Sequence, residues 1–154
     1  MRLNVPHFKQ EASYTCLPAC IRMVLAFLGK SYTEHELAKA FQTIPWVGTL
    51  PENVTPVLEE WGYIVRWFEN GTVDHITRIV AQRLPVIAFV RAADLPHGVG
   101  GFHAVVIVKI DSRSVILLDP TLDTEWRLST KEFSRIWTKF GNEGMVILSP
   151  MSKP

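Results

Sequence analysis

The stretch CLPACIRMVLAFLG, residues 16–29, decides the fold, because it predicts a helix that is apolar on nearly every side. A helix of this composition is normally buried at the centre of a domain. Pro18 suits the first turn, where a backbone N–H has no intrahelical partner, and Gly29 is a typical helix stop. The sequence therefore predicts a central helix over residues 16–28, with Cys16 at its N-terminal end.

The elements that follow this helix change character halfway along the chain. The first half predicts further helices, one of them after the capping-box pair Thr33 and Glu36, and a strand; these elements cover residues 34–41, 52–61, 63–68 and 73–84. The second half predicts mainly β-branched strands, with a helix after Ser129; the strands cover residues 86–90, 104–110, 115–118 and 145–148. We expect a single α+β domain over residues 1–154, in which an N-terminal helical lobe packs on a C-terminal antiparallel sheet beside a cleft.

The composition is that of a globular protein without a strongly charged surface. Hydrophobic residues make up 47% of the 154 positions and charged residues 20%, which excludes a disordered chain. The 16 Lys and Arg residues nearly balance the 15 Asp and Glu residues, so charge gives no reason to expect nucleic acid or an anionic membrane as partner. No apolar run approaches the roughly 18 residues of a membrane span, and no secretory signal is recognisable.

The chain has two cysteines, Cys16 and Cys20, which lie one turn apart on the predicted helix. This spacing does not resemble the disulfide framework of a secreted protein, so we expect a reducing, cytoplasmic setting. It also makes a poor zinc site, and no metal or organic cofactor is expected. A helix N-terminus is a typical position for a reactive thiolate, whereas a cysteine one turn further in is typically buried and inert. Cys16 is therefore the candidate nucleophile and Cys20 a core residue.

His103 and Asp119 are the candidate base and orienting group. His103 follows the glycines at 100 and 101 and opens a buried strand, and Asp119 closes the next apolar run. A hairpin between these strands, turning at residues 111–114, would bring the imidazole and the carboxylate together. A nucleophile, a base and an orienter in this relation are what thiol-based acyl transfer requires.

Gln10 completes the candidate site as an oxyanion donor, beside the backbone N–H of Cys16. The other histidines are weaker candidates for the base: His97 could border the cleft but has no matching strand partner, His7 is expected to be exposed, His35 to be solvated, and His75 lies on a helix near Asp74. Asp111 and Asp123 are the alternatives to Asp119 as orienting group.

These residues resemble the peptidase C39 family, the papain-like cysteine peptidases of bacteriocin-processing exporters and of free-standing C39-like proteins. The similarity runs from about Val5 to Leu148, and its blocks are Gln10, 14–20, 23–26, Gly29, 102–108 and 115–120. The resemblance implies a papain-like fold in which Cys16 is the nucleophile, His103 the general base and acid, Asp119 the orienter and Gln10 the oxyanion donor.

In the exporters, the family's substrate is a leader peptide cut after two small residues, usually Gly-Gly. This chain has Thr15 and Leu17 where those domains usually carry an acidic residue and a glycine. The resemblance thus implies a cysteine peptidase acting on a peptide or leader peptide, with association to an exporter if the chain is an excised domain. A non-catalytic peptide-binding module and a thiol-based acyl transferase are the alternatives, and the oligomeric state is open.

Overall fold

The computed structural model describes residues 2–98 and 101–149, and within them the chain forms five α-helices and six β-strands. The helices are α1 (Cys16–Phe27), α2 (Glu34–Ala40), α3 (Pro51–Glu60), α4 (Val73–Ala81) and α5 (Thr130–Thr138). The strands are β1 (Ile64–Phe68), β2 (Val86–Arg91), β3 (Phe102–Ile110), β4 (Ser114–Leu118), β5 (Trp126–Ser129) and β6 (Gly144–Leu148). The α+β prediction is confirmed.

Helix α1 is the buried centre of the N-terminal half, as its composition predicts. Its residues from Cys16 through Ile21 are all buried. The helix ends at Phe27, and Gly29, two residues later, adopts a φ of 97° that a side chain would disfavour. There the Gly29 N–H donates to the Ala26 carbonyl and the Lys30 N–H to the Leu25 carbonyl, so the last carbonyls are satisfied. The buried side of α1 packs against β3.

The six strands form one antiparallel sheet in the order β1-β6-β2-β3-β4-β5. Strands β2 and β3 occupy its middle and are almost entirely buried. Helices α1 and α4 pack against β3, and α5 packs against β2, β4 and β5. Strand β3 packs against helix α1 of the N-terminal half and pairs with strands of the C-terminal half. Its residues therefore lie where the two halves of the chain meet.

Two elements differ from the sequence-based prediction by more than a residue or two. Strand β5 was not predicted, because its four residues alternate between half-buried and exposed at the sheet edge and form no apolar run. Helix α4 ends at Ala81 rather than residue 84, and Arg83 then turns the chain with a φ of 65°. The capping box at Thr33 and Glu36 is complete, whereas at α5 only the Ser129 half forms, because the Glu132 side chain pairs with Arg135.

No helix within the described ranges combines the length and the apolar character that crossing a membrane requires.

Candidate active site

Cys16 is the first residue of α1 and lies at the edge of a cavity of about 340 Å³. Its sulfur is a free thiol and the residue is 8% exposed. The preceding loop is fixed by Thr15, whose hydroxyl accepts from the Ala12 N–H and donates to the Ala12 carbonyl. The positive end of the helix dipole favours negative charge in this first turn. The sulfur is therefore placed where an anion is stabilised and a ligand can reach it.

The loop before Cys16 is also held in place by Glu34, the first residue of α2. Both carboxylate oxygens of Glu34 accept from the Glu11 N–H, at 3.1 and 3.0 Å, and the residue is 3% exposed. Burial raises the pKa of this carboxyl, although the hydrogen bonds from Glu11 and Thr15 oppose the rise. Glu34 thus ties α2 to the segment that carries both Gln10 and Cys16.

His103 is the second residue of β3, where it pairs with Val90, and it faces Cys16 across the boundary between helix and sheet. Its Nε2 lies 2.8 Å from Asp119 Oδ1, and the Cys16 thiol lies close enough to the same imidazole to influence its pKa. Because an ionised carboxylate only accepts, Nε2 carries a proton, and Nδ1 is the nitrogen left for the sulfur. Of the two glycines expected before this strand, Gly101 has a φ of 102°, and residue 100 lies outside the described residues.

The pKa of His103 is raised to about 9 by its surroundings. Burial, the largest single influence, favours the neutral ring and acts in the opposite direction. The hydrogen bonds and charges of Asp119 and Cys16 together outweigh it. An imidazole in this environment holds a proton readily at neutral pH, as the partner of a thiolate must.

Asp119 lies directly after β4, and its side chain is fully buried. The β3–β4 hairpin places it beside His103, through a register that pairs Val106 with Leu118. Its Oδ1 accepts from His103 at 2.8 Å and from the backbone and hydroxyl of Thr121 at 2.8 and 2.7 Å. Burial would raise the pKa of this carboxyl, but the donors and the charge of His103 hold it well below its usual range. The carboxylate is therefore a fixed negative charge.

Gln10 lies next to this cluster but directs its amide elsewhere. Its backbone N–H donates to the Pro120 carbonyl at 2.7 Å, and its side-chain Nε2 donates to the Ala12 carbonyl at 2.7 Å. The Oε1 atom is buried and has no hydrogen-bond partner in the part of the chain that the structure describes. Since an amide nitrogen carries two hydrogens, one N–H of Gln10 is left for another acceptor.

A second cavity, of about 460 Å³, adjoins the first and is bordered by Gln10, His97 and His103. Phe102 lines both cavities, so the two form neighbouring parts of one cleft. The first cavity is rimmed by Trp46 and Val47, which are 84% and 69% exposed. The cleft thus draws on the helical half for Cys16 and Trp46 and on the sheet for His103, as expected for the two-lobe arrangement.

Two histidines contact Asp119 although nothing in the sequence pattern connects them with it. His97 borders the second cavity, as the sequence allowed, and its Nε2 lies 2.7 Å from Asp119 Oδ2, a contact that was not predicted. His7 is half-buried rather than exposed, and its Nε2 donates to the backbone carbonyl of Asp119 at 2.8 Å. Neither histidine lies in a helix or strand whose periodicity would predict its neighbours, so only the structure reveals these two contacts.

The remaining candidates make their contacts with other residues. His35 is exposed on α2, and His75 on α4 packs edge-on against Phe68. Asp111 accepts from the Arg113 and Ser114 N–H groups of the β3–β4 turn, and Asp123 lies 3.6 Å from Lys9. Within residues 2–98 and 101–149, no group of three or more His, Cys, Asp or Glu side chains is arranged to bind a metal ion.

Cys20→Ala is expected to lower stability and to leave the reactivity of Cys16 unchanged. Cys20 is fully buried, and its S–H donates to the Ala104 carbonyl at 3.3 Å. Burial above all, and then the nearby Cys16 and Asp119, raise the pKa of this thiol, so it stays protonated. We expect a loss of about 1–2 kcal/mol in urea unfolding. Loss of activity with an unchanged melting temperature would instead make Cys20 the candidate nucleophile.

The His103–Asp119 pair is expected to make stability depend on pH. A raised His103 pKa contributes stability that is complete below the unfolded value of about 6.5 and is lost as pH rises through about 9. A lowered Asp119 pKa contributes stability that is complete above about pH 4 and is lost in stronger acid.

This dependence can be measured by urea unfolding of the native chain and of His103→Gln at several pH values. The free energy of unfolding of the native chain should exceed that of His103→Gln by most between about pH 4 and 6.5. This difference should shrink by roughly 3 kcal/mol by pH 10. A difference that stays constant from pH 6 to 10 would show that His103 carries no stabilising charge.

Comparison with known proteins places this chain in a family. The model of the Peptidase_C39 like family matches residues 2–145. An uncharacterised protein of Methanothermobacter thermautotrophicus is 33% identical over 133 residues, which cover 84% of this chain and 80% of the relative.

Two solved structures share the fold at low sequence identity. One is described as a C39-like peptidase from Bacillus anthracis, with a TM-score of 0.77, 16% identity and 95% of both chains covered. The other is a double-glycine-motif protease from an AMS/PCAT transporter in complex with the leader peptide, with a TM-score of 0.68 and 18% identity over 96% of this chain and 93% of that one. The family match over nearly the whole length establishes that this chain belongs to the Peptidase_C39 like family.

Proposed function

We propose that the chain is a cysteine peptidase with Cys16 as nucleophile, His103 as general base and acid, and Asp119 as orienting group. The observation that carries this proposal is the hydrogen bond between His103 and Asp119, with the Cys16 thiol near the same imidazole, at the edge of an open cleft. Membership of a peptidase family supports it. Residues 1–154 would then act as one peptidase domain.

In the proposed reaction, His103 Nδ1 takes the thiol proton, because Nε2 keeps its own proton on Asp119. The thiolate attacks the carbonyl carbon of a peptide bond, and the imidazolium passes its proton to the leaving amine as the C–N bond breaks. Water, deprotonated by the now neutral His103, then attacks the thioester. The C–S bond breaks, the acid leaves, and the proton held by His103 restores the thiolate–imidazolium pair.

The developing oxyanion would be held by two N–H groups near the sulfur. As the first residue of α1, Cys16 has a backbone N–H without an intrahelical acceptor. Gln10 has one side-chain N–H not used by Ala12, and it borders the cleft beside His103. Losing one such donor typically slows a reaction by about 100- to 1,000-fold. We propose that Gln10 turns its amide toward the oxyanion only when a substrate is bound.

We propose a peptide substrate lying along the cleft, with one side of the scissile bond in each cavity. The apolar rim of the first cavity, formed by Trp46, Val47 and Phe102, suits a peptide with apolar side chains near the bond. The related protease in complex with its leader peptide supports a leader or similar segment as the peptide. A cytoplasmic setting is part of this proposal, since a reducing compartment would keep the Cys16 thiol free.

The proposal is tested by treating the protein with a peptidyl chloromethyl ketone and measuring the intact mass. We expect one adduct, located at Cys16, absent in Cys16→Ala and much slower in His103→Ala. A peptide-binding module without catalysis would give no adduct, and this result would overturn the proposal.

A second measurement identifies the acyl acceptor. A peptide library incubated with the protein and an added amine should yield free carboxylic acids if water is the acceptor. Products joined to the amine would identify an acyl transferase instead.

A further inference from the structure

We propose that His97 is a positioning residue that holds the Asp119 carboxylate in the orientation that His103 requires. This inference rests on the proposed function, because it concerns the same thiol, imidazole and carboxylate. It adds a fourth side chain, because Asp119 contacts both His103, which lies near Cys16, and His97.

The hydrogen bonds of the carboxylate are unequally divided. Oδ1 accepts three, from His103 and from the backbone and hydroxyl of Thr121. Among the described residues, Oδ2 accepts from His97 alone, at 2.7 Å. The Asp119 side chain has no exposed surface, so solvent does not substitute for this donor. Without His97, a buried anionic oxygen would lose its hydrogen bond, which is costly in a protein interior.

The loop that carries His97 is built to hold it there. Arg91 and Lys139 pair with Asp94 at 2.8 and 3.7 Å, and Leu95 is buried. The Gly98 N–H donates to the Leu95 carbonyl at 3.2 Å, and a Cβ at Gly98 would lie 2.1 Å from the Ala92 carbonyl oxygen. Only glycine fits this approach, so the tight loop fixes the residue that precedes it.

The His97 ring is fixed from a second side by strand β5. It packs edge-on against Trp126, with ring centroids 5.0 Å apart and planes at 88°. Two substitutions separate this ring contact from the hydrogen bond to Asp119. His97→Phe keeps a ring for Trp126 but has no N–H for Asp119, whereas His97→Gln keeps a donor near the Nε2 position.

His97 is expected to affect the chemistry through its effect on Asp119, which in turn orients His103. A carboxylate with an unsatisfied Oδ2 would rotate or take up a proton, and either change weakens its hold on the imidazolium. The Cys16 thiolate would then lose its counterion. At pH 6, where an ordinary thiol is almost fully protonated, alkylation by iodoacetamide reports the thiolate that the imidazolium stabilises. Cys20 is fully buried, so the adduct measures Cys16.

We expect His97→Phe to slow alkylation of Cys16 at pH 6 by about 10-fold or more, the effect of losing one hydrogen bond to a charged group. His97→Gln should restore the rate to within a few-fold of the native value, and His35→Phe, at an exposed site, serves as the matched control. The alkylation rates of all variants are compared under conditions in which thermal melting shows the same folded fraction. If His97→Phe does not fold, His97→Leu carries the same comparison.

The possible failures are distinguishable. A native protein whose Cys16 reacts at pH 6 no faster than a free thiol would overturn the proposed function and the role of His97 with it. A reactive native Cys16 with an unchanged or faster rate in His97→Phe would overturn the role of His97 alone. Equal slowing in His97→Phe and His97→Gln would show that an N–H donor at this position does not sustain the rate, and this result would also overturn the inference.

Discussion

Replacing Cys16 by alanine is expected to abolish peptide hydrolysis, lowering kcat/KM by about 10⁵- to 10⁶-fold while the chain stays folded. Cys20, the other thiol, points its S–H at the Ala104 carbonyl in the core and cannot take over. The loss can be measured on a peptide selected by library screening, with a thermal melt to establish folding.

Two further variants make the Cys16 result specific. Cys16→Ser keeps an oxygen beside His103 but is expected to be nearly as inactive, because a hydroxyl ionises far less readily than a thiol. Cys20→Ala removes the same atom type one turn away and should keep the native rate. Substantial turnover by Cys16→Ala, with folding intact, would show that another group attacks the substrate.

The parts of the fold that the sequence predicted are those with a strong local signal. Helix α1 is apolar on nearly all sides, carries proline only in its first turn and ends at a glycine, so its position could be assigned to within a residue. The β3–β4 hairpin was predictable because two apolar runs flank a short polar turn. Strand β5 lacked such a signal, because an edge strand of four residues buries only one side.

The candidate site was predictable in its residue types but not in its full set of contacts. The order of Cys16, His103 and Asp119 along predicted elements was enough to infer their proximity. Thr121 could have been found as well, because an aspartate whose side chain accepts from the N–H two residues later is a common turn. His97 could not, since its position depends on the crowding of Gly98 against Ala92, a packing detail without a sequence signature.

Gln10 illustrates another limit of sequence-based inference. Its position before Cys16 predicts an amide near the sulfur, but not the direction in which the amide points. In the structure the side-chain N–H donates to Ala12, only two residues along the chain. Such local hydrogen bonds compete with long-range ones, and the backbone conformation of the loop determines which of them form. Here the loop backbone is held by Glu34 of helix α2.

Asp119→Asn is expected to reduce kcat/KM by about 10- to 100-fold, and Asp119→Ala by about 10⁴-fold. The asparagine carbonyl can still accept from His103 and from both donors of Thr121. Its amide can then face His97, which accepts in its other tautomer. The proton on His103 Nε2 is thus kept, and only the negative charge is lost. Alanine removes the acceptor itself, so that His103 is free to adopt the wrong tautomer.

Replacing Asp119 should change the pH dependence of the reaction as well as its rate. Loss of the charge should lower the His103 pKa from its raised value of about 9, so the alkaline limb of the rate profile should move to lower pH in Asp119→Asn. If Asp119→Ala retains the native rate and profile, the orienting role belongs to another residue.

The contributions of Asp119 and His97 to the alkylation rate are expected to be coupled. In the native chain, His97→Phe removes a donor from a buried carboxylate, whereas in Asp119→Asn the group facing His97 is an amide without charge. The effect of His97→Phe on the alkylation rate should therefore be several-fold smaller in the Asp119→Asn background than in the native one. A double-mutant cycle measures this difference directly. Equal effects in both backgrounds would mean that His97 acts on the site without going through the Asp119 carboxylate.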